Sequence, residues 1–184
     1  YDFLDPKDLR GLKVPVRGAS LPLDYPENMP NANRDYRSGI HEGMDFGAGQ
    51  GTSVYAAYWG KIVRIDKNFQ ELTKAQYDQI AAQSLAAGTT PPEGLDRLRG
   101  RQVWLDHGNG VVTRYCHLSA VNSNLVLGQI VNQGDLLGKS GNSGLIWTSF
   151  GAHLHFEIRI GNQYLGQALD YLTIKELYSK AFAS

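Results

Sequence analysis

The run from Ala152 to Arg159, Ala-His-Leu-His-Phe-Glu-Ile-Arg, constrains the fold of this chain most tightly. Leu154, Phe156, Ile158 and Ile160 alternate with His153, His155, Glu157 and Arg159, the period-two pattern of a strand with one buried face. Side chains at i and i+2 of a strand share a face, with Cα atoms ~6.5–7 Å apart. His153 and His155 therefore look the same way. Neutral imidazole is a common zinc ligand, so such a pair is an economical start to a metal site. Two histidines satisfied by hydrogen bonds fit the same spacing.

Upstream, His41-Glu42-Gly43-Met44-Asp45 adds another imidazole with a carboxylate four residues on, followed by the turn-rich Phe46-Gly47-Ala48-Gly49-Gln50-Gly51. Two His and one Asp, with water in the fourth position, make an open tetrahedral zinc shell of the catalytic kind. A closed structural site needs a fourth protein donor, and Cys116 is the one cysteine in the chain.

A chain of 184 residues suits one domain, which should bury roughly 70% of its unfolded surface. Lys+Arg and Asp+Glu are both 18. That balance leaves no electrostatic footprint for nucleic acid and no polybasic membrane anchor. No run approaches the ~20 apolar residues of a membrane span. The opening Tyr-Asp-Phe-Leu-Asp-Pro lacks the basic and apolar regions of a leader, which fits either a cytosolic chain or one beginning after a removed leader. A lone cysteine forms no disulfide framework and leaves the redox compartment open.

Residues 1–37 read as an ordered arm, because Pro-rich segments such as Leu21-Pro22-Leu23-Asp24-Tyr25-Pro26 favour extended backbone. Arg34, Tyr36 and Arg37 are expected to be solvated. Two strands flank Trp59-Gly60, through a hairpin or a tight bend. Leu72, Tyr77, Ile80, Ala81, Leu85 and Ala86 recur at near-helical spacing until Gly88 and Pro91-Pro92, which predicts a helical insertion at about 68–101 between strands. Asn109-Gly110 joins Gln102–Asp106 to Val111–Cys116 as a hairpin, with His107 structural or exposed at the turn. Cys116, as neighbour of His117, is expected on the other sheet face as a small buried residue.

Short strands follow at Asn124 to Val131 and Asp135 to Gly138. Leu145, Ile146, Trp147 and Phe150 then sit in a Gly/Ser loop, either as the wall of a groove or as a plug. Thr173-Ile174-Lys175-Glu176 matches a capping box, with Thr173 as N-cap of a C-terminal helix within 166–184. Many short strands punctuated by glycine, with few helices, give a mainly β, antiparallel fold. Residues 38–165 form its main unit.

These residues resemble the lysostaphin-type zinc endopeptidases, whose peptidoglycan-cleaving modules are called LytM domains. His41-Glu42-Gly43-Met44-Asp45, Tyr115-Cys116-His117-Leu118 and His153-Leu154-His155-Phe156-Glu157 carry the likeness. Gly51-Thr52-Ser53-Val54-Tyr55-Ala56-Ala57, His107-Gly108-Asn109-Gly110 and Gly134–Gly141 frame them. The resemblance implies a sandwich-like antiparallel groove, a bacterial cell-envelope setting, and Zn2+ held by His41, Asp45 and His155. It also implies that His117 and His153 face the reacting water and scissile carbonyl without binding zinc. Spacing alone does not make that split, since an i, i+2 pair also suits joint chelation. The chain departs from the pattern in its long helical segment, in residues 145–152 with Ala152 where Pro is common, and in Cys116. None is a ligand position, so the departures bear on substrate choice.

The chemistry so implied is hydrolysis of peptidoglycan cross-links or stem peptides. Zinc lowers the pKa of water from about 15.7 to about 7 and polarises the carbonyl. His117 or His153 moves the proton, a role usually worth roughly 10²–10⁴-fold. Glu157 shares the histidine face and is expected to support a ligand or touch substrate. A non-catalytic peptidoglycan-binding or hydrolase-activating module of the same fold is the main alternative. A zinc hydrolase of small molecules, suggested by the aromatic loop, is the other.

Overall fold

The computed structural model describes residues 2–184. After an arm whose one regular element is a 3-10 turn at Pro26–Asn28 come strands β1 (Met44–Gly47), β2 (Ser53–Tyr55) and β3 (Gly60–Ile65). Helices α1 (Lys74–Ala87) and α2 (Pro92–Leu98) follow, then β4 (Val103–Asp106), β5 (Val111–Cys116) and β6 (Leu118–Val121). The chain continues through β7 (Ile130–Val131), β8 (Leu136–Ser140), β9 (His153–Ile160) and β10 (Gln163–Tyr164) to α3 (Tyr171–Ala181).

The strands form two antiparallel sheets, so the mainly β expectation holds. The larger runs β1-β9-β5-β4-β3-β7, with β10 added to β9, and the smaller runs β2-β8-β6. β9 lies inside the larger sheet between β1 and β5, so its apolar residues have neighbours on both sides. Leu154, Phe156 and Ile158 are buried in the main core. The Phe156 ring lies 5.2 Å from that of Tyr115 and 6.2 Å from those of Phe46 and Phe182. Ile174, Tyr178 and Ala181 of α3 join this core, as do Leu4, Leu9, Leu12 and Val16 of the arm. Backbone hydrogen bonds tie the arm down, with Leu12 N–H donating to Ala181 O and Tyr55 N–H to Pro15 O.

The opposite face of β9 carries His153, His155, Glu157 and Arg159. It too is covered, because His155 and Glu157 are buried. The cover is the insertion between β3 and β4, whose Leu72, Ile80 and Leu98 form a small core with Leu145 of the β8–β9 loop; Tyr77 and the arm's Tyr36 pack against it. α1 begins with a capping box of Thr73 and Gln76 and ends on Gly88 in the left-handed conformation (φ 71°). Leu98→Ala should cost ~2–5 kcal/mol, the usual penalty for emptying a buried Leu site. Urea unfolding reads that loss, and amide exchange faster in 74–98 than in β9 would localise it.

Several local expectations are corrected. The apolar stripe of α1 is narrow: Ile80 is buried, whereas Leu85 is 78% exposed. Pro91-Pro92 stops α1 but also starts α2, since Pro is favoured in a first turn whose N–H groups need no partner. β2 and β3 are not a hairpin; they belong to different sheets, and Trp59-Gly60 lies at the bend that carries the chain across. α3 starts earlier than Thr173, because the Asp170 carboxylate accepts the Thr173 N–H at 2.9 Å and acts as N-cap. The stretch expected as a strand from Asn124 is mostly turn, with Val126 and Leu127 exposed.

Candidate metal centre

β1 and β9 place the site. Antiparallel register sets Asp45 directly opposite His155, so both side chains leave the same sheet face. His41, just ahead of β1, folds back onto them. His41 Nε2, Asp45 Oδ1 and His155 Nδ1 lie 3.0 Å from one another. The glycine between His41 and Asp45 is required by this approach. A Cβ on Gly43 would meet Phe156 O at 2.3 Å and Glu157 Cγ at 2.9 Å.

The protons on the two imidazoles are set by what lies behind them. His41 Nδ1 is 2.9 Å from the Met29 carbonyl oxygen, which only accepts, so Nδ1 carries the hydrogen. His155 Nε2 is 2.8 Å from Glu157 Oε2 and donates to it. With His155 neutral, both remaining nitrogens, Nε2 of His41 and Nδ1 of His155, present lone pairs to a carboxylate oxygen. Three acceptors then converge on one point, and either a second His155 proton or a cation has to sit between them. The 3.0 Å edges also approach the ~3.3 Å ligand spacing of a tetrahedral ion with bonds of ~2.0–2.1 Å. Two neutral imidazoles and a carboxylate suit zinc.

Electrostatics favour the ligand form of His41 and Asp45, whereas for His155 burial is outweighed by the carboxylates of Asp45 and Glu157 on either side, which raise the pKa. Burial lowers the His41 pKa. Burial alone would raise Asp45, but His41 and His155 hold it well below the usual carboxylate range. Glu157 likewise opposes burial and stays well below its ordinary value through Arg99, His155 and Arg159. Its Oε2 accepts from Arg99 Nε at 2.6 Å, and its Oε1 from Arg159 Nη1 at 3.1 Å. This arrangement places Glu157 behind His155, with no exposure to solvent.

Glu157→Gln would leave the buried Arg99 guanidinium without its main partner. Breaking one side of a buried pair usually costs ~3–5 kcal/mol, and losing support behind a ligating His usually costs ~10–100-fold in metal affinity. Denaturant unfolding and zinc competition against a chelator measure both; wild-type values would refute the linkage.

His117 and His153 stand beside the trio. His117 lies between β5 and β6 with φ 61°, a strained backbone for a residue other than Gly. The Arg99 carbonyl accepts its N–H at 2.8 Å, and the Ser143 carbonyl accepts from Nδ1 at 2.8 Å. Those bonds leave Nε2 free as an acceptor. Burial, with His153 and His155 nearby, holds His117 neutral well below the ordinary histidine pKa. His153 donates from Nδ1 to Gly151 O at 3.0 Å, and its Nε2 is 3.6 Å from Asp45 Oδ1, outside the tight triangle. The His117 and His153 ring centroids are 4.9 Å apart.

Two expectations fail here. Cys116 does not point away: it pairs with His155 across β5 and β9, on the same face. The left-handed turn at His117 breaks the alternation that put the neighbours on opposite faces. Cys116, His155 and Glu157 do form a second close donor group. It does not fit a cation, because Arg99, Arg114 and Arg159 already contact Glu157 and burial pushes the Cys116 thiol up. Nor are Arg34, Tyr36 and Arg37 solvated. Arg34 Nη2 bonds Asp45 Oδ2 at 3.1 Å, and Arg37 is buried with Nη1 donating to Thr90 Oγ1. Tyr36 packs edge-on against Phe150, with centroids 5.1 Å apart. Sequence reading missed Arg99 as a partner of Glu157, and no local signal marks it. His107 is buried between Trp59 O and Thr113 Oγ1, a structural place away from the trio.

The arm, α2 and the 145–150 loop close over the trio. The cavity lined by Arg34, Tyr36, Leu98, His117, Phe150 and His153 has room for about 20 Å³ of solvent, little more than one water.

The sheet thus presents from one face two His and one Asp whose donor atoms lie close enough to hold a metal ion. The chain belongs to peptidase family M23, whose sequence profile matches residues 39–167. It is 33% identical over 135 residues to an uncharacterized metalloprotease of Haemophilus influenzae, covering 73% of this chain and 21% of that one. Over 59 residues it is 42% identical to the peptidoglycan DD-endopeptidase ShyA of Vibrio cholerae, covering 32% of this chain and 13% of that protein. It is 32% identical over 124 residues to the DD-carboxypeptidase/endopeptidase Mpg of Neisseria meningitidis, covering 67% and 21%. The chain thus spans about a fifth or less of the length of these relatives. A zinc-containing peptidase of Vibrio cholerae shares its fold with a TM-score of 0.53 at 19% identity, over 86% of this chain and 39% of the other. Helicobacter pylori Csd3 does so with a TM-score of 0.52 at 20% identity, over 85% and 33%. No helix among the described residues is long and apolar enough to cross a membrane.

Proposed function

We propose that this chain is the peptidase unit of a zinc metalloendopeptidase that cuts peptide bonds of peptidoglycan in the bacterial cell envelope. The observation that carries the reading is the convergence of three potential ligand atoms, from His41, Asp45 and His155, within 3.0 Å of one another. The ion supplies Lewis acidity, polarising a carbonyl and acidifying water. The chain's residues do the rest. Asp45 and the two imidazoles hold the ion, with the imidazoles oriented from behind by Met29 O and Glu157. The bare Nε2 atoms of His117 and His153 accept a proton from the attacking water and return one to the leaving amine nitrogen. Relatives named as peptidoglycan endopeptidases support the substrate class. Residues 1–37, 38–165 and 166–184 act in this reading as arm, peptidase unit and C-terminal helix.

The test is digestion of purified peptidoglycan of defined chemistry, with products identified by mass spectrometry. New amine and carboxyl termini should appear with zinc and vanish with chelator. Intact cell walls despite bound zinc would refute catalysis.

The small cavity favours a second reading, a silent module of the same fold that binds peptidoglycan or activates a partner hydrolase. Phe150→Ala, which opens the rim beside His153, separates the two. Increased cleavage means a competent site under cover; zinc binding without cleavage in both proteins means a silent one.

A further inference from the structure

A second cleft lies on the same sheet face, beyond Glu157. It encloses about 460 Å³, within the usual size of a ligand site. Arg99, Glu42 and Leu95 line both this cleft and the metal cavity and separate them. The floor is cationic and aromatic: Arg114, Arg159, Trp104 and Tyr164. The Arg114 guanidinium lies 3.8 Å over the Trp104 ring, which holds its plane in place.

The hydrogen-bond inventory of the arginines is uneven. Arg99 is served by Glu157 at 2.6 Å and by Glu42 at 3.3 Å. Arg159 bonds Glu42 at 2.6 Å and Glu157 at 3.1 Å through Nη1 alone. Arg114 has one long contact, 3.4 Å to Glu157 Oε1, and its Nε is buried with no partner. Arg64, the next cation along, is already held by Asp66 and Asp96. Arg114 is therefore the least compensated charge of the cluster, although its fork is the type that binds carboxylates bidentately.

We propose that this cleft binds the carboxylate of a short peptide, held by Arg114 and Arg159 over Trp104. Glu42 and Asp96 also line it and Glu157 lies behind, so the three arginines are balanced by three carboxylates overall. What calls for a ligand is the poorly partnered fork of Arg114. The nearby carboxylates disfavour a phosphate dianion relative to a single carboxylate. Asn162 and Gln167 at the rim offer amide partners for a peptide backbone. Arg159 is four residues beyond His155 on β9, ~13 Å at strand spacing. A peptide anchored there by an acidic side chain or its own C-terminus would reach the metal centre after about four extended residues only by crossing over Arg99, Glu42 and Leu95, which line both cavities. That last role rests on the peptidase reading; the binding itself does not.

The experiment uses the whole chain with trialanine, trialanine amide and inorganic phosphate as probes, followed through tryptophan fluorescence. Trp104→Phe separates its signal from those of Trp59 and Trp147. Trialanine should bind saturably and the amide roughly tenfold or more weakly, the usual scale for losing a charge-assisted hydrogen bond. Arg114→Met should reduce trialanine to the affinity of the amide. In wild-type protein the Trp104 indole N–H resonance should move with the acid and not with the amide, which keeps the test independent of whether the variant folds. Equal binding of acid and amide, tighter binding of phosphate, or shifts clustered away from Trp104 would overturn the proposal. Chelator-treated protein should bind trialanine unchanged, so a failed metal reading and a failed carboxylate site give different results.

Discussion

His41→Ala and Asp45→Ala should each purify without stoichiometric zinc and lose metal-dependent cleavage. Each substitution leaves two of the three converging acceptors, which no longer make an open three-ligand shell. The loss should exceed the ~10–100-fold cost of disturbing a group behind a ligand, because a donor atom itself is gone. Asp45→Ala carries a second consequence. Arg34 Nη2 now bonds Asp45 Oδ2 with both side chains largely buried, so its removal strands a cation and should lower the denaturation midpoint as well. Elemental analysis and cleavage assays read the first effect, and denaturant unfolding the second. Full zinc occupancy in either variant would remove the basis of the assigned site.

His117→Asn should behave in the opposite way, keeping zinc and losing turnover by roughly 10²–10⁴-fold, the usual worth of a positioned acid–base group. Asn is chosen because it tolerates the left-handed backbone at this position (φ 61°), so loss of activity is not confused with loss of the turn. His117 Nδ1 is already committed to Ser143 O, and only Nε2 is free to carry a proton. Asn offers no equivalent titrating atom. The split between intact metal content and lost turnover distinguishes a proton carrier from a ligand. Wild-type turnover in this variant would leave His153 as the sole candidate for the role.

The alternation of 153–160 fixed which side chains of β9 share a face, because strand geometry has a strict period of two. The same rule misplaced Cys116, since it fails where the backbone turns left-handed at His117. Gly88 marked the end of α1 correctly, because a left-handed C-cap is settled within a few residues of chain, whereas the Thr73–Gln76 capping box at its start was not read from the sequence. At α3 the real cap, Asp170, lay just upstream of an equally plausible signature at Thr173. Arg34 and Arg37 read as solvent-facing on composition. Their burial depends on Asp45 and Thr90, whose nearness no local pattern encodes.

The mainly antiparallel architecture and the helical insertion were legible in the sequence, as were the His and Asp motifs from which the proposed site is drawn. They depend on local spacing and on motifs short enough to read along the chain. Only the tertiary structure decided which imidazole nitrogens face one another, that Glu157 stands behind His155 in a ring of arginines, and that arm and insertion close over the centre. Those features arise from contacts between residues up to 117 positions apart, as between Glu42 and Arg159. Distance and burial set their energies, and both exist only once the chain has folded.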